Sequence, residues 1–583
     1  MDTPIDYSQF EAGRECNYWR LDRSLRFAAR RHYPDRDFEW AAERLDEWGE
    51  IVGTTIADNA DVIDRHGPTL HTYDEYGERY NHVEYHPAQF ENERLAYEHG
   101  IVADSFRPPP GRSERLGLRH HLLMNGLLAY ADPGFACPVA MTGGVALVLD
   151  GFDDGSLSSY FHGLTAREYE DAIEGAMFLT EKQGGSDVGA NEVRAEKADD
   201  GTYRLSGEKW FCSNLDAEGT LSLARRPDAP EGTAGLSLFL VPHTREDGTL
   251  NAQTYRRLKD KLGTISVPTG EVVFEGAKAY LVGEPERGFK YMTEMLNLER
   301  LHNAFASVGI VGRCLLESKV HAATREAFGD TIDQYPLMRR DLAEMAVDHE
   351  AAIAFVFAAA DALDARRDAE AGSDEEREAY RLMRLLVPIA KHRTARLAVE
   401  TASYACEVLG GNGYVEGFVT ERLLRDAQVL PIWEGTSNIL SLDVLRALER
   451  EDAHEALFPH VRSRLDGVSH PGLSETVETT ESAFADLQDA LAHLATADER
   501  EAQYEAKRLA DLVFDVVAAA HLLSAAQGRL DRHDDGRMAL VARSFVRDRF
   551  DTGGVRGITT GETAGDEHFD AIVRYASVES GDL

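Results

Sequence analysis

Apolar positions recur at three- and four-residue intervals through most of residues 1–175, the spacing that turns one face of a helix towards a core. Phe38-Glu39-Trp40-Ala41-Ala42-Glu43-Arg44-Leu45 is one such amphipathic segment, and aromatic-rich connections such as Tyr73-Asp74-Glu75-Tyr76 join the helices. From about residue 176 to 285 the period changes. Short β-prone runs at 203–207, 237–242 and 271–276 alternate with Gly, Asp and Pro turns. This pattern predicts a small antiparallel sheet or barrel. Beyond Gly288 long helical patterns return, notably over 351–365 and 382–405, with the acidic stretch 368–376 read as a solvated loop between them. Residues 451–583 add a further helical region, clearest over 506–527, and a Gly-rich patch over 553–565. No internal repeat is visible. The expected fold is mainly α with a central β domain. Its parts are an N-terminal helical domain (1–175), a β domain (176–285), a four-helix bundle (286–450) and a helical extension (451–583).

The chain has 583 residues, 43% of them hydrophobic, enough for several domains with sizeable cores. No uninterrupted apolar run approaches the roughly 20 residues that a membrane helix needs, so no membrane is expected as a partner. The first residues, MDTPIDYSQFEAGRE, lack a basic n-region and an apolar h-region, so no secretory signal is expected. Five scattered cysteines without CxxC spacing argue against a disulfide framework or a zinc site and point to a reducing cytoplasm. The formal net charge is −40, and only ten of the 62 basic residues are Lys. Acidic residues are spread evenly along the chain. This reads as a halophilic surface, adapted to a salty cytoplasm where screening weakens self-repulsion. It makes nucleic acid an improbable partner.

Five segments carry candidate chemistry. Pro431-Ile432-Trp433-Glu434-Gly435-Thr436-Ser437-Asn438 sets one carboxylate between an aromatic ring and a glycine-hydroxyl pair. Partial loss of hydration raises a carboxylate's pKa and suits it to take a proton near neutral pH. Leu179 to Gly189 holds adjacent glycines and the hydroxyls of Thr180 and Ser186, able to meet a polar ligand through backbone N–H groups. Gly207-Glu208-Lys209-Trp210-Phe211-Cys212-Ser213-Asn214 reads as a strand whose aromatics could wall a flat ring system. Arg325 offers planar donors suited to a pyrophosphate, with Gln334 beyond it, and Gly410-Gly411-Asn412-Gly413 ends a helix. Singly, each is an ordinary turn, strand end or surface residue.

Together these segments resemble the acyl-CoA dehydrogenase superfamily of flavoproteins, in order and spacing, over roughly residues 90–448. The resemblance implies FAD as cofactor. Leu179, Thr180, Ser186, Phe211 and Ser213 would line the flavin from the β domain, with Thr436 and Asn438 beside the base. Arg325, Gln334, Gly410 and Gly411 would hold its pyrophosphate and adenosine, usually across a subunit interface. This implies an obligate dimer, commonly a dimer of dimers. The finer resemblance is to the AidB-type branch, through TEKQGGSDVGANEV, the Trp before the base, NILSLDVLRAL after it and the long C-terminal extension. Two features depart from it. Glu407 stands where many relatives carry Gln, and residues 451–583 sum to a net charge of −13, which tells against the DNA binding linked to bacterial AidB proteins.

The implied activity is α,β-dehydrogenation of an acyl-CoA thioester, with electrons passing to an electron-transfer flavoprotein. Two carboxylates compete for the role of base. Glu434 matches the position used by most of the family. Glu299, beside Arg300 and 26 residues before Arg325, matches the position used by a minority, including isovaleryl-CoA dehydrogenases. Ser186, Trp433 and Arg300 are the candidate substrate contacts. An acyl-CoA oxidase of the same fold, or a low-turnover flavin-bearing protective protein of AidB type, are the alternative functions.

Overall fold

The computed structural model describes residues 3–551, 553–555, 557–560 and 563–583. Positions 556, 561 and 562 of the Gly-rich patch lie outside the described residues. The chain forms two compact units, Thr54–His302 and Met1–Gly53 with Asn303–Leu583.

In the unit Thr54–His302, the helices Leu118–Leu128 and Ala136–Phe152 are apolar on nearly every face and correspondingly buried. A hairpin interrupts this mostly helical N-terminal region. Strands β1 (Thr69–Tyr73) and β2 (Arg79–Glu84) pair antiparallel, Leu70 opposite Val83. The Tyr73–Tyr76 connection is their turn. One Asp74 carboxylate oxygen accepts from the backbone N–H groups of Tyr76 (2.9 Å) and Glu78 (2.8 Å), and Gly77 takes a φ of 82°. Exposed Tyr73 and Tyr80 blur its apolar–polar alternation.

The main sheet comprises β3 (Gly175–Phe178), β4 (Arg194–Lys197), β5 (Tyr203–Ser213), β6 (Gly219–Arg225), β7 (Leu236–Pro242), β8 (Gln253–Leu258) and β9 (Thr269–Val282). Its path runs β3-β6-β4-β5-β9-β7, and β6 also pairs with β7, which closes the sheet on itself. The pairing is mixed rather than purely antiparallel, because β3 runs parallel to β6. Alternate residues of β5 and β9, among them Tyr203, Leu205, Val272 and Phe274, fill the interior with Phe178 and Phe239.

The other unit contains the long helices Pro336–Asp368, Asp374–Leu409 and Ser437–Glu451, together with Gly288–Thr324 from Asn303 onward. Ala395, Ala398, Ala402 and Ala405 recur at helical spacing and pack with Ile310, Val311, Cys314, Leu423 and Leu430. Small side chains at these positions let the helices approach closely. The acidic stretch 368–376 holds the expected connection between two of these helices, with 368 and 374–376 at the helix ends. Only 369–373 connect the helices, and the Ser373 hydroxyl caps the second by accepting from the Glu376 N–H at 3.0 Å. Acidic residues in the first turn suit the helix dipole.

The extension adds helices His454–Asp466, Ser474–Leu494, Glu499–His533 and Arg537–Phe550. Glu499–His533 holds an 18-residue window of mean hydropathy 1.7, long and apolar enough to span a bilayer, but 78% of that window is buried inside the fold, as in a core helix. Buried Arg537 pairs with Glu350 and donates to the carbonyls of Ala571 (2.8 Å) and Ile572 (3.1 Å), tying the last residues of the chain to the bundle.

Candidate active site

The carboxylate turn lies between the short helix Thr420–Ala427 and the helix Ser437–Glu451. It opens with Ile432 N–H donating to the Val429 carbonyl at 2.8 Å. Glu434 takes a left-handed φ of 55° and Gly435 a φ of 104°. For a residue with a Cβ that conformation costs about 1–2 kcal/mol, and it persists only where surrounding structure enforces it. Two distant side chains do so. Asn303 donates to the Leu430 carbonyl at 3.1 Å, and Lys391, fully buried in the helix Asp374–Leu409, donates to the Gly435 carbonyl at 2.6 Å.

Glu434 is half-buried, and Trp433 packs against the alanine-rich core. The Trp433 indole N–H is buried and has no hydrogen-bond partner among the described residues. Thr436 stands at the N-cap of the following helix without using its hydroxyl to cap it. Thr436 and Asn438 are exposed. The same unit carries Arg325 and Gln334, both exposed, flanking a two-residue hairpin whose tip, Phe328, is fully exposed. Gly410 (φ 61°) and Gly411 follow the helix Asp374–Leu409, and a Cβ built on either would meet nothing within 4 Å. Exposed Tyr414 lies just beyond, and Glu407 is exposed one turn before.

In the unit Thr54–His302 the turn after β3 is fixed by a buried ion pair. Lys209 (1% exposed) reaches Glu181 (5% exposed) at 2.8 Å and also donates to the Leu179 carbonyl at 3.3 Å. Burial pushes the Lys209 ammonium below its usual range, and the Glu181 charge opposes that shift. Glu181 in turn accepts from Glu192 N–H at 2.6 Å. The Thr180 carbonyl accepts from Trp210 N–H at 2.9 Å, and its hydroxyl lies against Gly185, where a Cβ would come within 2.5 Å. Ser186 is exposed beside it. Along β5, Phe211 is 53% exposed, while the Ser213 hydroxyl meets that of Thr269 at 3.0 Å. Leu179, Thr180, Ser186, Phe211 and Ser213 are thus gathered on one turn and one strand that share a hydrogen bond.

The second carboxylate, Glu299, is not solvent-facing. It is 5% exposed and abuts Gly144, where a Cβ would come within 2.8 Å of its Oε1. One turn on, His302 meets His121 edge to face, with ring centroids 4.3 Å apart. Asn125 donates to His302 Nδ1 at 3.0 Å, and His121 Nδ1 donates to the Ile101 carbonyl at 2.7 Å. Burial pushes His121 down to about 4 and His302 well below its usual value, so both imidazoles are neutral. Arg300 is half-buried.

Sequence reasoning missed Lys209, Lys391, Asn303 and the His121–His302 pair. Lys209 falls on the inward-facing alternation of β5, and Lys391 interrupts an apolar stretch of its helix, so both left a signal. The residues present fit a flavin nucleotide. The unit that holds the carboxylate turn offers a buried indole donor without a hydrogen-bond partner among the described residues and a glycine pair that leaves open space.

Residues 8–171 match the family model described as "Adaptive response protein AidB N-terminal domain", 176–277 "Acyl-CoA dehydrogenase, middle domain" and 286–449 "Acyl-CoA dehydrogenase, C-terminal domain". The chain is 34% identical over 493 residues to acyl-CoA dehydrogenase family member 11 of Caenorhabditis elegans, covering 81% of this chain and 77% of that protein. It is 33% identical over 431 residues to the putative acyl-CoA dehydrogenase AidB of Escherichia coli, covering 71% and 75%. The structure of C. elegans ACDH-11 in complex with C11-CoA superposes with a TM-score of 0.85 at 29% identity, covering 94% of each chain. The chain belongs to the acyl-CoA dehydrogenase superfamily, in its AidB-type branch.

Proposed function

We propose that this protein is an FAD-dependent dehydrogenase that converts an acyl-CoA thioester to its trans-2-enoyl form, with Glu434 as base. The observation that carries the reading is the enforced turn, which holds a carboxylate in a left-handed conformation beside a buried indole donor. Glu434 takes the α-proton. The electron pair left on the α-carbon is drawn towards the thioester oxygen, for which the Glu434 backbone N–H is the donor by resemblance. As the Cα=Cβ bond forms, a hydride leaves the β-carbon, and bound FAD supplies the acceptor for it. Leu179, Thr180, Ser186, Phe211, Ser213, Thr436 and Asn438 would contact the flavin ring. Ser186, Trp433 and Arg300 would contact substrate. The exposure of Arg325, Gln334, Gly410 and Gly411 in the single chain supports their meeting nucleotide across a subunit interface, in a dimer of dimers. The acyl-CoA complex of the C. elegans relative supports an acyl-CoA ligand here. An electron-transfer flavoprotein in a salty cytoplasm completes the reading.

The test is anaerobic mixing of holoenzyme with short, branched, long and aromatic acyl-CoAs at high salt. Bleaching of the flavin by at least one is expected, and bleaching by none sinks the dehydrogenase reading. Glu434→Gln should keep FAD and lose bleaching. A second reading has Glu299 as base, favoured by its burial against Gly144 beside two neutral imidazoles. In that case Glu299→Gln abolishes bleaching and Glu434→Gln does not.

A further inference from the structure

We propose that Lys391 is a positioning residue for the catalytic turn, holding Glu434 in its left-handed conformation through the Gly435 carbonyl. The inference rests on Glu434 being the base. Lys391 lies 44 positions before Gly435 in sequence, on the helix Asp374–Leu409, and is fully buried. Burying an ammonium is costly, so a lysine is retained there only where its donors replace hydration. Its Nζ–Gly435 O distance of 2.6 Å is a charge-assisted hydrogen bond on the carbonyl that directly follows the strained residue. Other contacts do less at this point. Asn303 holds the entrance of the turn at Leu430, and Leu440 N–H bonds the Thr436 carbonyl as the next helix begins. Between them, Lys391 holds the peptide that joins Gly435 to Thr436. A Cβ on Gly435 would sit 3.2 Å from the Leu440 side chain, so the carbonyl is pinned from one side while the residue is packed from the other. Rotating that peptide would move the Glu434 carboxylate and backbone N–H together. The clamp therefore fixes base and donor as one piece.

The experiment uses full-length holoenzyme at high salt, with Lys391→Met, Lys391→Gln and Lys391→Arg. Hydrogen exchange by mass spectrometry reads the peptide covering residues 430–440. In Lys391→Met its amides should exchange about tenfold faster or more, with the rest of the chain unchanged, and Lys391→Arg, whose planar fork needs more room than the compact ammonium, should not restore protection. With any acyl-CoA that bleaches the wild type, Lys391→Met should slow flavin reduction at saturating substrate about tenfold per bound FAD, while its dissociation constant changes less than about twofold. A purely structural lysine would instead lower FAD content and melting temperature and leave the rate per FAD intact. Unchanged exchange at residues 430–440 in Lys391→Met overturns the proposal. Should that variant not fold, Lys391→Gln, a shorter neutral donor, is read the same way. A crystal structure of wild-type holoenzyme with Lys391 Nζ beyond about 4 Å from the Gly435 oxygen overturns it without any variant. If no acyl-CoA bleaches the wild type, the dehydrogenase reading falls, and the exchange result still decides the clamp.

Discussion

Replacing Lys319 by Met should stabilise the protein at pH 6 and do almost nothing at pH 10. Lys319 lies in the helix Gly288–Thr324 and is 4% exposed. Its ammonium sits over the rings of Tyr7 (5.4 Å) and Tyr575 (4.9 Å). Burial pushes its pKa down from 10.5 to about 7. Asp22 and Glu350 favour the charged form, and Arg537 disfavours it. The unfolded chain binds this proton up to about pH 10.5, the folded chain only up to about pH 7. Between these values the unfolded state holds more protons, so stability rises with pH and the full penalty is present below pH 7. That displacement corresponds to roughly 5 kcal/mol. The cation–π contacts that Met would forfeit return about 1–2 kcal/mol of that. The net expectation at pH 6 is a stabilisation of about 3–4 kcal/mol, or several degrees in melting temperature. The assay is thermal unfolding of wild type and Lys319→Met at fixed high salt from pH 6 to 10, read as the difference at each pH. That subtraction removes the other titrating groups. A difference that stays constant across the range would refute the reasoning, as would a loss of stability at pH 6, which would mark Lys319 as a cation that the fold needs.

Three further outcomes follow from buried contacts. Lys209→Met leaves Glu181 with a buried charge and should cost about 3–5 kcal/mol, which Lys209→Met combined with Glu181→Gln should largely restore, as read by a double-mutant cycle on melting temperature. Gly435→Ala introduces a Cβ at φ 104° and 3.2 Å from Leu440, so a cost of about 1–3 kcal/mol and a slower flavin reduction are expected. Arg537→Met strands Glu350 and frees the Ala571 and Ile572 carbonyls. Limited proteolysis should then clip the chain after residue 550 faster than in wild type, while the bundle stays folded.

Much of this architecture was legible because it is written locally. The 3.6-residue recurrence of Ala395, Ala398, Ala402 and Ala405 announces a closely packed helix, and the alternation in β5 and β9 announces strands. What escaped was non-local. The parallel partnership of β3 with β6 depends on which strand arrives beside it. The hairpin Thr69–Glu84 escaped for another reason. Exposed Tyr73 and Tyr80 stand among its outward polar residues and break the period-2 pattern.

The site divides along the same line. Trp433, Glu434 and Gly435 are neighbours in sequence and were visible as a motif, whereas the side chains that enforce their geometry come from distant elements. Yet the composition held a clue to them. Surface cations here are overwhelmingly Arg, and only ten residues are Lys. Three of the ten, Lys209, Lys319 and Lys391, are buried to 1%, 4% and 0% exposure. Two of those three donate to backbone carbonyls of the candidate turns, Leu179 at 3.3 Å and Gly435 at 2.6 Å. An ammonium is compact and can aim a proton at a single carbonyl, where a planar guanidinium needs room for a fork of donors. In a chain that gives its surface to Arg, a Lys inside an apolar stretch is therefore a candidate anchor for backbone that must be held still. Lys319 is the exception that sharpens the rule. It is the one of the three over two aromatic rings rather than beside a carbonyl, and its replacement is the one expected to stabilise.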